Sequence, residues 1–235
     1  ADKIILLEAS RIADGPAGRN SGFMIDLPHD LASEDYGGAL TEDQQQIAAN
    51  RAAIAFARQM AEEFELPCEA FNPCGKFNAA ASAKGHRHNQ DYARHLTRMG
   101  EPWEIYDAAQ MAELTGTGYY QSGLFTPGTV MLQPAMYIRG IARGLASHHA
   151  LIFENSPVIA LEHNGDWSAT TPSGQVTAPR VILAVNGHAN SFGLYPQQLI
   201  HVFNMRLISA PGSPIATVRV MSVVPSRYCP PLSTR

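Results

Sequence analysis

The segment Lys3-Ile4-Ile5-Leu6-Leu7-Glu8 constrains this chain more than any other. Four consecutive apolar residues, two of them β-branched, predict a strand buried on both faces, as in a parallel sheet. The strand ends in an acid. Asp14-Gly15-Pro16 and Gly18-Arg19-Asn20-Ser21-Gly22 follow, which predicts a turn-rich loop.

The rest of the chain alternates helices and strands. A long helix is predicted over 41–64, with Thr41 and Gln44 as a capping box and Ile47, Ile54, Ala57, Ala61 and Phe64 on one face. Prolines at 67 and 73 break the chain, and 76–81 reads as a strand. Residues 84–99 read as a polar helix stopped by Gly100 and Pro102. Tyr119-Tyr120 and 123–125 read as short strands, with Pro127-Gly128 as a turn. A second helix starts near Pro134 and carries the stripe Ile138, Ile141, Ala142 and Leu145. Strands follow at 151–154, 158–163, 167–171 and 181–185. Asn164-Gly165 is the strongest hairpin signal, and the last strand runs into Asn186-Gly187.

Composition excludes several functions. At 235 residues the chain is long enough to bury a core, and 45% hydrophobic residues are ordinary globular usage. A net charge of −4 gives no support to nucleic-acid binding or to a polybasic membrane role. Charged residues at 16% fall below the roughly 25% of typical chains, so a partner, cofactor or further chain is expected to cover part of the surface. No apolar run reaches the roughly 18 residues of a membrane span, and no signal-peptide pattern opens the chain. Cys68, Cys74 and Cys229 match neither a disulfide framework nor a zinc site, so the expected compartment is the cytoplasm.

Few motifs carry chemistry. Glu8, at the carboxyl end of its strand, can accept hydrogen bonds from a ribose diol, or it is simply a polar strand end. The 18–22 loop can bring N–H donors and a positive charge to a pyrophosphate, or it is a surface turn. His86, His88 and His95 read as a solvated helix face, and no metal site is expected. His148-His149 reads as complementing a helix dipole. No Gly-x-Ser-x-Gly nucleophile elbow occurs. Tyr119-Tyr120 reads as core or as a pocket wall.

Ile4 to Ala9, followed by Arg11 to Phe23, resembles the glycine/D-amino-acid oxidase-like flavoproteins, which include sarcosine and γ-glutamylputrescine oxidases. In that family the second strand ends "LLEA" and a "GASGRNGG" loop follows. Gly123-Leu124-Phe125-Thr126-Pro127-Gly128 with Leu132-Gln133-Pro134 resembles the family's "G-x-x-D-P-x-x-G-x-x-x-P" segment, and 181–189 resembles its "VVLATGAWS" strand and loop. Thr126 stands where the family often has Asp, and Asn186 replaces the usual Thr.

The resemblance implies an α/β fold in which an FAD-binding dinucleotide domain (1–70 and 134–190) is interleaved with a β-sheet substrate domain (71–133 and 191–203). It implies that Glu8 holds the adenosine ribose. Arg19, Asn20, Ser21 and Gly22 would lie along the pyrophosphate and flavin, Val158 would pair its backbone with adenine, and Gly187 would let the chain pass the cofactor. The implied reaction is oxidation of an amine or amino acid at the carbon bearing nitrogen, with FAD as hydride acceptor and hydrolysis of the resulting imine; no catalytic residue is identified.

The glycine fingerprint that should precede Glu8 by about 20 residues has no room here, and after Phe203 the likeness stops. The chain is therefore expected to be incomplete at both ends. The tail 204–235 is either the product of a frameshift near Asn204 or a divergent Pro-rich end. The alternative function is a non-catalytic fragment or subunit that does not hold FAD alone, with possible homo-oligomerisation along the first strand's free edge.

Overall fold

The computed structural model describes residues 3–28, 40–147, 150–196 and 198. The expectations for His148, His149, Cys229 and the tail 204–235 lie outside the described residues. The elements in chain order are β1 (Ile4–Leu7), a 3-10 turn (Pro16–Gly18), β2 (Phe23–Met24), α1 (Leu40–Glu63), β3 (Phe71–Asn72) and β4 (Lys76–Ala80). Then come α2 (Ala83–Met99), β5 (Glu104–Asp107), α3 (Ala108–Thr115), β6 (Ser122–Thr126), β7 (Val130–Leu132), α4 (Pro134–Ser147) and β8 (Ala150–Phe153). The remainder is β9 (Ala160–Asn164), β10 (Asp166–Thr171), β11 (Gly174–Ala178) and a 3-10 segment (Asn186–Phe192). The chain divides into two compact units, Ala1–Glu154 and Asn155–Arg235.

In the first unit β1 pairs in parallel with β8, Ile4 beside Ala150 through Leu7 beside Phe153. The parallel pairing agrees with the sequence reading; the burial does not. Ile4 is 65% exposed, and Ile5, Leu6, Leu151 and Phe153 are exposed too. Among the described residues β1 has a neighbour on one edge only, and α4 packs on β8, so little covers the β1 side chains.

Helix α1 joins two cores. Its Ile47 meets Leu27, Tyr92, Ala93, Leu96 and Leu124, a cluster shared with α2 and β6. Ile54, Ala57 and Ala61 meet Phe71 and Val130, with Tyr137 of α4 packed alongside. The predicted apolar face is therefore the buried one. The helix begins at Leu40, so Thr41 sits inside the first turn and not at the cap expected for it.

Ser82 caps α2 by accepting a hydrogen bond from the Gly85 N–H at 3.2 Å, and Gly100 ends the helix at φ +76°. This helix is not the solvated one the composition suggests. It buries Asn89, Tyr92, Ala93, His95 and Leu96 on one side, because its many polar residues share the remaining faces. Helix α4 approaches the end of α1 through Gly140 and Gly144. A Cβ at these positions would stand 2.4 Å from Leu66 and 2.2 Å from Phe64.

Two antiparallel sheets complete the unit, with strand orders β2–β7–β3 and β4–β6–β5. Tyr119-Tyr120 is neither strand nor core: Tyr119 lies in a turn and is 69% exposed. The two rings stack only on each other, edge to face at 5.2 Å.

The second unit is a three-stranded antiparallel meander, β9–β10–β11. Asn164-Gly165 forms the first hairpin, with Gly165 at φ +89°. Val158 precedes β9 and stands outside the ladder that the sequence expected it to join. Residues 181–185 are not a strand either, and Ile182 is 91% exposed. A strand that reads as doubly buried needs ladder partners, and among the described residues none lies beside 181–185.

Candidate functional site

The loop after β1 is built from local hydrogen bonds. The Glu8 N–H donates to the Phe153 carbonyl at 2.9 Å, extending the parallel ladder by one residue. The Glu8 carboxylate turns over the start of the loop, where Oε1 accepts from the Ser10 N–H at 2.9 Å. Its other oxygen has no partner among the described residues. Half-buried at a strand end, that oxygen can accept hydroxyl protons from a diol.

Further along, the Ile12 N–H donates to Glu154 Oε1 at 2.6 Å, and its carbonyl accepts from Arg139 Nε at 3.0 Å. Arg139 also holds Asp14 at 3.0 Å. The 3-10 turn then brings Arg19 to the surface, where no side-chain partner among the described residues holds its guanidinium. Asn20 is committed to the loop itself. Its amide donates to the Ala17 carbonyl at 2.6 Å, and its Oδ1 accepts from the Gly22 N–H at 2.8 Å. Gly22 is buried at φ +76°, and its carbonyl accepts from the Leu132 N–H at 2.7 Å. A Cβ there would stand 2.0 Å from the Leu132 carbonyl oxygen, so only glycine lets the loop close onto β7.

The first unit thus carries Glu8 and Arg19–Gly22 on one continuous loop. Val158 and Gly187 belong to the second unit, in the stretch before β9 and in the 3-10 segment. The donor set of the loop suits a dinucleotide. A strand-end carboxylate can accept from a diol, and an exposed guanidinium can bond a phosphate.

The family profile described as FAD dependent oxidoreductase, DAO, matches residues 1–226. The chain belongs to the DAO family. It is similar to a probable oxidoreductase, OrdL, of Haemophilus influenzae, 25% identical over 223 residues, covering 92% of this chain and 50% of that protein. It is also similar to the gamma-glutamylputrescine oxidoreductase of Escherichia coli K12, 24% identical over 196 residues, covering 79% of this chain and 43% of that protein. The chain therefore spans about half the length of the curated relatives it matches. Among solved structures it shares its fold with glycine oxidase from Geobacillus kaustophilus, at a TM-score of 0.58 and 15% identity over 75% of this chain and 47% of that one. L-amino acid deaminase from Proteus myxofaciens matches at a TM-score of 0.61 and 14% identity, over 82% and 43%. The α/β fold expected from the sequence is thus the DAO fold, covered in part. No described helix is long and apolar enough to cross a membrane.

Sequence reasoning passed over a second polar centre in this DAO chain. Asp26 is 1% exposed, and Arg51 bridges it at 3.2 Å to Glu101. Asn50 donates to the Asp26 carbonyl at 3.1 Å, and Thr129 Oγ1 lies 3.5 Å from the carboxylate. A Cβ on Gly128 would meet Asp26 Oδ2 at 1.9 Å, so the glycine of the Pro127-Gly128 turn makes room for the acid. Glu101 holds the Arg51 guanidinium above its ordinary pKa, aided by Asp26 against the cost of burial. Burial pulls Lys76 below its ordinary value, with Asp26 acting in the opposite direction. An acid in the apolar run Phe23-Met24-Ile25-Asp26-Leu27 was the available signal. Thr126 is fully buried, and among the described residues its hydroxyl has no partner.

The histidines also differ from expectation. His95 is 0% exposed and lies 2.7 Å from Asp43 of α1; His86 lies 2.7 Å from Ser122 Oγ. Both tie α2 to neighbouring elements instead of forming a solvated face.

Proposed function

We propose that this chain is the adenosine-binding part, with a portion of the substrate domain, of an enzyme that uses FAD to oxidise an amine or an amino acid. The observation that carries the reading is the loop from Glu8 to Gly22. Among the described residues it offers one carboxylate oxygen and one guanidinium without a side-chain partner, and the chain's DAO membership supports reading it as a cofactor loop. Glu8 would accept the ribose hydroxyls, and Arg19 with Ser21 would approach the pyrophosphate. Asn20 and Gly22 would act by shaping the loop. Val158 would pair its backbone with adenine, a role its place outside the ladder is consistent with, and Gly187 would admit the chain past the cofactor. When bound, FAD supplies the two-electron oxidation of the C–N bond. Imine hydrolysis by water would follow.

The interleaved division into a cofactor domain (1–70, 134–190) and a substrate domain (71–133, 191–203) belongs to this proposal, as does a cytoplasmic location. Its names support the substrate class: the relatives and neighbours include a gamma-glutamylputrescine oxidoreductase, a glycine oxidase and L-amino acid deaminases.

A second reading is favoured by the exposed β1. Among the described residues no glycine turn and helix N-terminus stand against the pyrophosphate position, and those groups provide most of the grip on a dinucleotide. As 235 residues alone, the chain then holds FAD weakly and does not turn over amines. Titration with FAD, followed by flavin fluorescence, tests both readings. Weak, saturable binding is expected. Glu8→Ala should weaken it by roughly 1.5–3 kcal/mol, the range for hydrogen bonds to a charged group. Unchanged affinity would make Glu8 a polar strand end. Stoichiometric copurification of FAD would overturn the second reading.

A further inference from the structure

We propose that Glu154 and Arg139 are positioning residues that clamp the Ile12 peptide and so set the loop that presents Glu8 and Arg19. The inference rests on the cofactor reading above. Both backbone polar groups of this one residue, which lie in the two peptides flanking it, are gripped by charged side chains far away in sequence. Its N–H donates to Glu154 Oε1 at 2.6 Å, and its carbonyl accepts from Arg139 Nε at 3.0 Å. Arg139 fixes the loop a second time through Asp14, also at 3.0 Å.

The position of the clamp matters. Glu8 and Glu154 follow the paired residues Leu7 and Phe153, so two carboxylates leave neighbouring parallel strands together. Alternate loop amides answer them: Ser10 N–H bonds Glu8, and Ile12 N–H bonds Glu154. The next residue, Ala13, has φ +65°, a conformation that a non-glycine residue keeps only when its surroundings impose it. Gly18 rests directly on that residue. A Cβ on Gly18 would stand 1.9 Å from the Ala13 carbonyl oxygen. A shift of the Ile12–Ala13 peptide must therefore move Gly18, and Arg19 with it.

The clamp is half-exposed: the Arg139 and Asp14 side chains are 52% and 34% accessible. Pairs of that exposure add little to global stability, so their effect falls on loop geometry.

The test uses the 235-residue chain labelled with ¹⁵N, and the variants E154L, E154Q and R139M. Amide exchange of Ser10, Ile12 and Arg19, FAD affinity and thermal midpoint are measured on each. In E154L, Ile12 exchange should accelerate and FAD affinity should fall about ten- to hundredfold, as for loss of a charge-assisted hydrogen bond. E154Q should recover most of both, since its amide oxygen accepts the same N–H. R139M should perturb Asp14 and Arg19, and thermal midpoints should change little. Unchanged Ile12 exchange in E154L, or a perturbed loop with undiminished FAD affinity, overturns the proposal. A wild-type chain that shows no FAD binding defeats the proposed function. Ile12 exchange that is slow in that wild type and fast in E154L would still support the clamp.

Discussion

Two buried polar groups show at the scale of single residues how this chain tolerates misfit. Thr126 is completely enclosed, and among the described residues no partner compensates the desolvation of its hydroxyl. Thr126→Val keeps the shape and removes the orphan. It should raise stability by about 1 kcal/mol in urea melts; a loss of that size would mean that the hydroxyl has a partner. Lys76 is the second case. Burial lowers its pKa from 10.5, so the folded state prefers the neutral amine. Its favourable contribution is complete above pH 10.5 and is lost as pH falls through the folded-state value. Tyr137 opposes it. Burial raises its pKa from 10.0, and its hydroxyl donates to the Ala57 carbonyl at 2.8 Å. That contribution is full below pH 10.0 and is lost as pH rises through the folded-state value. Stability should therefore climb through the alkaline range towards the ordinary lysine value and turn down beyond it. Lys76→Met should abolish the climb and Tyr137→Phe the downturn, as read from denaturant midpoints against pH. A climb that persists in Lys76→Met would assign it to another group.

At the scale of elements, legibility followed length and periodicity. Helix α1 was readable because its apolar face repeats over 24 residues, and Ile54 sits at the centre of that face. Ile54→Asp should cost roughly 3–5 kcal/mol, the penalty for an unpaired buried charge, and a neutral melt would remove this helix orientation. Strands β2, β3 and β7, of two or three residues each, carry too few positions to show any period. Helix α3 was missed although Asp107 and Gln110 make a capping box before it. The buried stripe of α2 was hidden because Asn89 and His95 are polar residues in core positions. Residues 181–185 failed for the opposite reason: their local pattern is strongly strand-like, but a ladder is a property of the neighbours.

For the whole molecule, the proposed cofactor loop was legible as a motif, and its mechanics were not. Glu8 and the 18–22 glycines could be read in order. The grip of Arg139 and Glu154 on Ile12 joins residues more than a hundred positions apart, which no local pattern encodes. The link between Arg51 and Glu101, 50 positions apart, lies equally beyond any local pattern. The exposed sheet of β1 and β8 leaves Ile4, Leu6, Leu151 and Phe153 at the surface beside an edge that no described residue pairs. Such edges template association, so the 235-residue chain should self-associate with rising concentration. Ile4→Lys places a charge on the most exposed β1 position and should shift sedimentation towards monomer without lowering the thermal midpoint. Concentration-independent sedimentation of the unaltered chain would argue against association through this edge.

The pairing of β1 with β8 also fixes an order of events in time. Ile4 meets a partner 146 residues downstream, whereas β4, β6 and β5 meet within a much shorter stretch. At about 5–20 residues per second, roughly 7–30 s of synthesis separate the two halves of that sheet. The β4–β6–β5 sheet can close during the interval, because its loops are shorter and cost less entropy. The strand that carries Glu8 is thus made early and docked late. Until β8 emerges, the exposed apolar residues of β1 stand open to other nascent chains.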